Sequence, residues 1–146
     1  MLKCTSQTGK IDIWSAGVML LTVMCRRFPF FNSADDVEAM IEIATIFGTR
    51  RMRSCALLHG AVLETSIPTI GDKGFTLEKI VLWSTCRGPE KGTGNTLPKD
   101  EGQACKFLER LLELDPRKRL SAQEALAHEF LAAEEDESAD DEMEML

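Results

Sequence analysis

Few residues of this sequence have chemical reach, and they are widely spaced. Asp12 opens a run of apolar residues and is followed closely by Trp14 and Gly17. Far downstream, Arg117, Lys118 and Arg119 follow Leu114-Asp115-Pro116. An acid in the first turn of a helix ordinarily does no more than stabilise the helix dipole, by about 0.3–1 kcal/mol. Trp14 and Gly17 change that reading. A buried indole needs a partner for its N–H. A glycine inside a helix costs about 1 kcal/mol against alanine, which close approach of another backbone would explain. Together they describe a buried helix that organises its neighbours. Arg119, taken alone, belongs to a solvated basic turn between two helices.

Other chemistry is mostly excluded. His59 and His128 are far apart, and neither has a nucleophile partnered by spacing. His128 therefore reads as a packing residue. Gly92-Thr93-Gly94 lacks the third glycine of a nucleotide fingerprint and follows no strand. The five cysteines, Cys4, Cys25, Cys55, Cys86 and Cys105, form no Cys-x-x-Cys pair and have no adjacent histidine. Zinc ligation is not expected, and free thiols in a reducing compartment are. Ser138, followed by Asp140 and Asp141, fits a site for an acid-directed kinase and equally an unmodified serine in a solvated tail.

These residues need helices to place them. Over 11–24 apolar residues fall on every side of a helical wheel, so the spacing predicts a helix in the middle of a core. Pro29 forces its end. Ser33 is the expected cap of a second helix, with Asp36 completing a weak capping box. Val37, Met40, Ile41, Ala44 and Phe47 carry that helix to Gly48. A short helix over 50–58 closes at Gly60. Residues 76–83 suit either a helix or a strand, and 86–102 read as a long flexible loop. Ala104, Phe107, Leu108, Leu111 and Leu112 predict a helix over 101–114 that stops at Asp115-Pro116. Ser121-Ala122-Gln123-Glu124 is a good capping box for a last helix with Leu126, Phe130 and Leu131.

The bulk numbers agree with one helical domain. The chain has 146 residues, room for a single domain. At 44% hydrophobic it is too apolar to be disordered as a whole. The net charge of −7 is concentrated, because eight acidic and no basic residues lie in 134–146. The other 16 of the 24 acidic residues face 17 Lys and Arg, so the body is near neutral. Direct nucleic-acid binding is not expected of it. The apolar run at 16–25 is about half of the ~20 residues a membrane span needs. No signal pattern opens the sequence, and a cytosolic or nuclear protein is expected.

Asp12-Ile13-Trp14-Ser15-Ala16-Gly17 and the later Leu114-Asp115-Pro116-Arg117-Lys118-Arg119-Leu120 resemble the two landmarks that bracket the end of a protein kinase C-lobe. Phe28-Pro29-Phe30 and Ala127-His128-Glu129-Phe130 fit the same pattern. Within the kinases, the sequence is similar to the cell-division-cycle-seven kinases, the catalytic subunits of DDK complexes. That resemblance runs through Lys3-Cys4, Arg27-Phe28-Pro29-Phe30-Phe31, Ser33-Ala34-Asp35-Asp36-Val37-Glu38-Ala39 and Ile43-Ala44-Thr45-Ile46-Phe47-Gly48-Thr49-Arg50. The segment 52–102 falls where that family carries an insert. A cyclin-dependent or casein-kinase-two relative shares the Ile-Phe-Gly-Thr helix end and stands as a second reading. A non-catalytic helical interaction module is the third.

The resemblance implies a mainly α fold, the C-terminal helical half of a truncated kinase C-lobe. It divides the chain into a partial kinase domain at 1–132 and a disordered acidic tail at 133–146. Asp12 would accept hydrogen bonds from backbone amides of the catalytic loop. Arg119 would pair with a glutamate lying before this sequence, and without it would lack its partner. ATP and Mg are implied for the full-length family, but the sequence contains no Gly-rich loop, no Val-Ala-Ile-Lys strand, no His-Arg-Asp and no Asp-Phe-Gly. No catalytic, cofactor-binding or metal residue is therefore assigned. The family further implies an activating regulatory subunit, MCM-helicase-type substrates and a nuclear location. Three expectations follow. The chain alone transfers no phosphate, and its tail adds nothing to folding. Its body is poorly stable, with Trp14, Val18 and Leu21 left uncovered.

Overall fold

The computed structural model describes residues 8–87 and 96–132. Seven helices and no strand are found among them. They are α1 (Lys10–Cys25), α2 (Asp36–Phe47), α3 (Thr49–Leu58), α4 (Leu77–Ser84), α5 (Lys99–Leu111), α6 (Ala122–Leu126) and α7 (Glu129–Ala132). The mainly helical expectation holds. Lys3-Cys4, Gly92-Thr93-Gly94, the acidic run from Glu134 and Ser138 lie outside the described residues.

α1 packs on α4 and α5, and α4 packs on α5. The main core gathers Leu21 and Cys25 of α1, Phe47 of α2, Ile80 and Val81 of α4, and Cys105 and Leu108 of α5. A second cluster joins Phe107 and Leu111 to Leu120 and Ala125. α5 buries Ala104, Phe107, Leu108 and Leu111, as its three- and four-residue spacing predicts.

α1 departs from the expectation of burial on all sides. Ile11, Asp12, Ser15, Met19 and Val23 are exposed and fall on one arc at helical spacing, with Met19 at 65% and Val23 at 73%. The strip expected to be uncovered is instead the covered one. Leu21 is fully buried, and Trp14 and Val18 are half-buried against the core. The reason is that α4 and α5 both approach that side.

Local signals explain most boundaries. Asp35, not Ser33, caps α2, its carboxylate accepting the Val37 and Glu38 N–H at 2.9 and 2.8 Å. Asp35 is adjacent to the first helical residue and Ser33 is two residues too early. Residues 76–83 settle as a helix after Thr76, whose hydroxyl accepts the Lys79 N–H at 3.3 Å. Burial of Leu77, Ile80, Val81 and Leu82 decides between the two conformations. Ser121 and Glu124 form the expected capping box. The last helix is broken at His128, whose Nδ1 accepts the Phe130 N–H at 3.1 Å. Phe130 packs on Phe107, whereas Leu126 and Leu131 face solvent.

The α2–α3 junction holds the loop before α4. Gly48 has φ +82°, and a Cβ there would come within 2.5 Å of the Asp72 carbonyl oxygen. Thr49 N–H donates to Gly71 O at 3.1 Å and the Thr49 hydroxyl to the Asp72 carboxylate at 2.7 Å. At the start of α5, Arg87 makes a two-pronged ion pair with Glu101 at 3.0 and 2.6 Å.

Candidate functional site

The two landmarks meet in space. Arg119 is only 9% exposed, and its guanidinium lies 5.0 Å from the Trp14 ring centroid. Its Nε donates to Glu113 O at 2.7 Å, Nη1 to Lys10 O at 2.7 Å and Nη2 to Leu114 O at 3.5 Å. Lys10 Nζ donates in return to Arg119 O. The first turn of α1 is thereby tied to the turn after α5 through reciprocal contacts. Trp14 also lies against Phe47, with centroids 5.8 Å apart and the rings tilted by 46°, which brings α2 into the same knot.

Arg119 is thus not left without partners, as a missing glutamate would suggest. Three backbone carbonyls and an aromatic face replace it. A guanidinium carries five N–H donors, and two of those on Arg119 find no acceptor among the described residues. Burial lowers its pKa from the ordinary arginine value, but a guanidinium remains charged at any relevant pH. The charge is buried with neutral acceptors, an arrangement that costs solvation energy and favours a carboxylate where one can reach.

The turn is stiffened by acids that sequence reading passed over. Asp115 is buried and accepts the Arg117 backbone N–H and Nε, both at 3.0 Å, and Nη2 at 3.0 Å. The Arg117 guanidinium holds the Asp115 carboxyl well below its usual range, at about 2. Glu113 accepts the Asp115 N–H at 3.0 Å and pairs with Arg51 at 3.3 Å. The spacing Glu113-x-Asp115, just where the helix ends, was the available signal. Lys10 gave none, since its contribution is largely a backbone carbonyl.

Gly17 sits where α1 meets the end of α5. A Cβ there would lie 2.7 Å from Leu112 Cδ2 and 3.0 Å from Leu111 Cβ. The expected close approach exists, made by leucine side chains rather than by backbone. Asp12 stands apart on the exposed arc of α1, with no hydrogen bond or ion pair among the described residues.

No group of side chains among the described residues fits a nucleotide-bound metal. Among the described residues no three His, Cys, Asp or Glu side chains come together to hold a metal. A cavity of about 380 Å³ beside Phe47, Phe75 and Leu77 has acidic and basic walls, with Arg51 already engaged by Glu113. No helix among the described residues is long and apolar enough to cross a membrane.

Comparison with known proteins agrees with this geometry. Residues 1–131 match the protein kinase domain family. The cell cycle serine/threonine-protein kinase hsk1 of Schizosaccharomyces pombe is 49% identical over 134 residues, covering 90% of this chain and 26% of that protein. The cell cycle protein kinase spo4 of the same yeast is 38% identical over 133 residues, covering 91% and 31%. The cell division cycle 7-related protein kinase of Homo sapiens is 27% identical over 184 residues, covering 89% and 32%. The chain spans about a quarter to a third of the length of these relatives. The helix opened by Asp12 and the turn closed by Arg119 are therefore parts of a kinase lobe: the chain belongs to the protein kinase family, with its similarity running to the cell-division-cycle-seven kinases.

Proposed function

We propose that this chain is the helical platform of a serine/threonine kinase that acts in the cell cycle, and that it does no chemistry by itself. The observation that carries this reading is the knot of Arg119, Trp14 and Lys10, which joins the two ends of the segment. Beside it are two features without a partner among the described residues: the Asp12 carboxylate and two N–H groups of Arg119. The Asp12 carboxylate suits backbone amides of a catalytic loop. The two N–H groups suit a carboxylate, which pairs with arginine in fixed geometry.

Phosphoryl transfer rests on positioning of ATP, metal and the acceptor hydroxyl. The groups that supply it are not among the residues of this sequence, so ATP and Mg belong to the remainder of a full-length kinase. The same reading extends to an activating regulatory subunit, to acidic substrate sites of the MCM-helicase type, and to the nucleus. It is supported by similarity to relatives named as cell cycle kinases. Ser138, with acids two and three residues on, suits phosphorylation by an acid-directed kinase.

Incubation of the chain with labelled ATP, Mg and an acidic protein substrate tests the claim that it is inert. Incorporation should equal that of a no-enzyme control. Turnover above that control would overturn the platform reading.

A further inference from the structure

Between α3 and α4 the chain runs through residues 61–67 without helix, turn or bend. Exposure alternates over 61–66, where Ala61, Leu63 and Thr65 are half-buried and Val62, Glu64 and Ser66 are exposed, and Ile67 beyond them is exposed as well. A period of two is that of an extended strand lying on a surface. This extended segment has no paired neighbour among the described residues. Ala61 N–H donates to Ala56 O at 2.9 Å and Ile67 N–H to Thr65 Oγ1 at 3.2 Å. Between them, the N–H groups of Val62, Leu63, Glu64, Thr65 and Ser66 find no acceptor among the described residues. Their carbonyls find no donor.

Exposed edges are ordinarily guarded by charged side chains, lysine above all, or by proline. Residues 61–67 contain no lysine or proline and a single charge, Glu64, and Pro68 lies just beyond. Val62, Thr65 and Ile67 favour an extended strand, whereas Ala61 and Glu64 do not. Its start is pinned to the last turn of α3 through Ala56. That turn adds exposed Leu57 and Leu58 to the exposed Val62. The one charge in the segment, Glu64, has no ion-pair partner among the described residues.

We propose that residues 61–67 are a receiving edge for an extended strand of another protein, added by main-chain hydrogen bonds. The outer row Val62, Glu64, Ser66 sets the chemistry of that strand. A branched apolar side chain belongs opposite Val62, a Lys or Arg opposite Glu64, and a small polar residue opposite Ser66. A second copy of this chain fits less well. Antiparallel self-pairing centred on Glu64 sets carboxylate against carboxylate, and like charges directly opposite are unfavourable. Charge complementarity selects a basic strand. This inference is independent of the kinase reading.

The test uses the whole chain and three capped peptides: Thr-Ile-Thr-Lys-Thr-Val-Thr, its glutamate-centred counterpart, and the lysine peptide with alternate amides N-methylated. Anisotropy reports binding, and hydrogen exchange reports the amides of 62–66, which have no acceptor among the described residues. The lysine peptide should bind at or below about 1 mM and slow alternate amides of 62–66. N-methylation should weaken binding at least about tenfold, and Glu64→Lys should reverse the preference between the two unmethylated peptides. Several results would overturn the proposal: no slowing at saturating lysine peptide, equal binding after N-methylation, or a preference indifferent to Glu64→Lys. Amides of 62–66 already protected in the peptide-free chain would also do so, since the edge would then have another occupant.

Discussion

Arg119 is held by geometry that a lysine cannot reproduce. Its planar fork reaches Lys10 O, Glu113 O and Leu114 O at once while stacking on Trp14. Arg119→Lys should strand at least two of those carbonyls and lower stability by about 2–3 kcal/mol. A shift of the urea midpoint with unchanged slope would show it; a midpoint within error of the parent would refute it. Asp115 gives a pH signature. Its folded pKa, about 2, lies below its ordinary value of 3.8 because the Arg117 guanidinium favours the ionised form. Its stabilising contribution is therefore complete above about pH 4 and is lost as pH falls towards 2. Asp115→Asn should flatten stability against pH across that window and leave a lower plateau at neutral pH. Sequence reading found Arg119 and Trp14 by motif but not their mutual contact, because three of the four groups around the guanidinium are backbone carbonyls and the fourth comes from a residue far away in the chain. It missed Asp115 and Glu113 because a polar turn after a helix looks the same whether solvated or locked.

At the scale of elements, the legible parts were those with one apolar face or a distinctive cap. α5 and the Ser121–Glu124 box were readable for that reason. α1 was not. Apolar residues on every side erase the periodic signal, so nothing in the sequence distinguishes the buried side of Leu21 from the exposed side of Met19 and Val23. Residues 76–83 were ambiguous because a short apolar run suits a buried strand as well as a helix. Gly17 is where α1 is most sensitive. Alanine there gains about 1 kcal/mol of helix propensity, but overpacking against Leu111 and Leu112 costs about 1–3 kcal/mol. Gly17→Ala should be net destabilising in thermal melts, whereas Gly102→Ala in α5, which meets nothing within 4 Å, should stabilise.

For the whole molecule, the exposed arc of α1 has a consequence for behaviour in solution. Ile11, Met19 and Val23 form an apolar stripe beside Asp12, and such stripes drive association. The chain alone should self-associate in sedimentation and bind a hydrophobic dye, and Met19→Lys with Val23→Lys should reduce both. The platform reading requires that in a complete kinase lobe another segment cover the stripe and Asp12. A chimera tests it most directly: residues 1–131 of this chain replace the matching segment of the fission-yeast kinase hsk1, and phosphate transfer to protein substrate is measured. The chimera should retain activity, and Asp12→Ala within it should lose most of that activity while the chimera stays folded by circular dichroism. A soluble, folded chimera without activity, beside an active parent, would contradict the account.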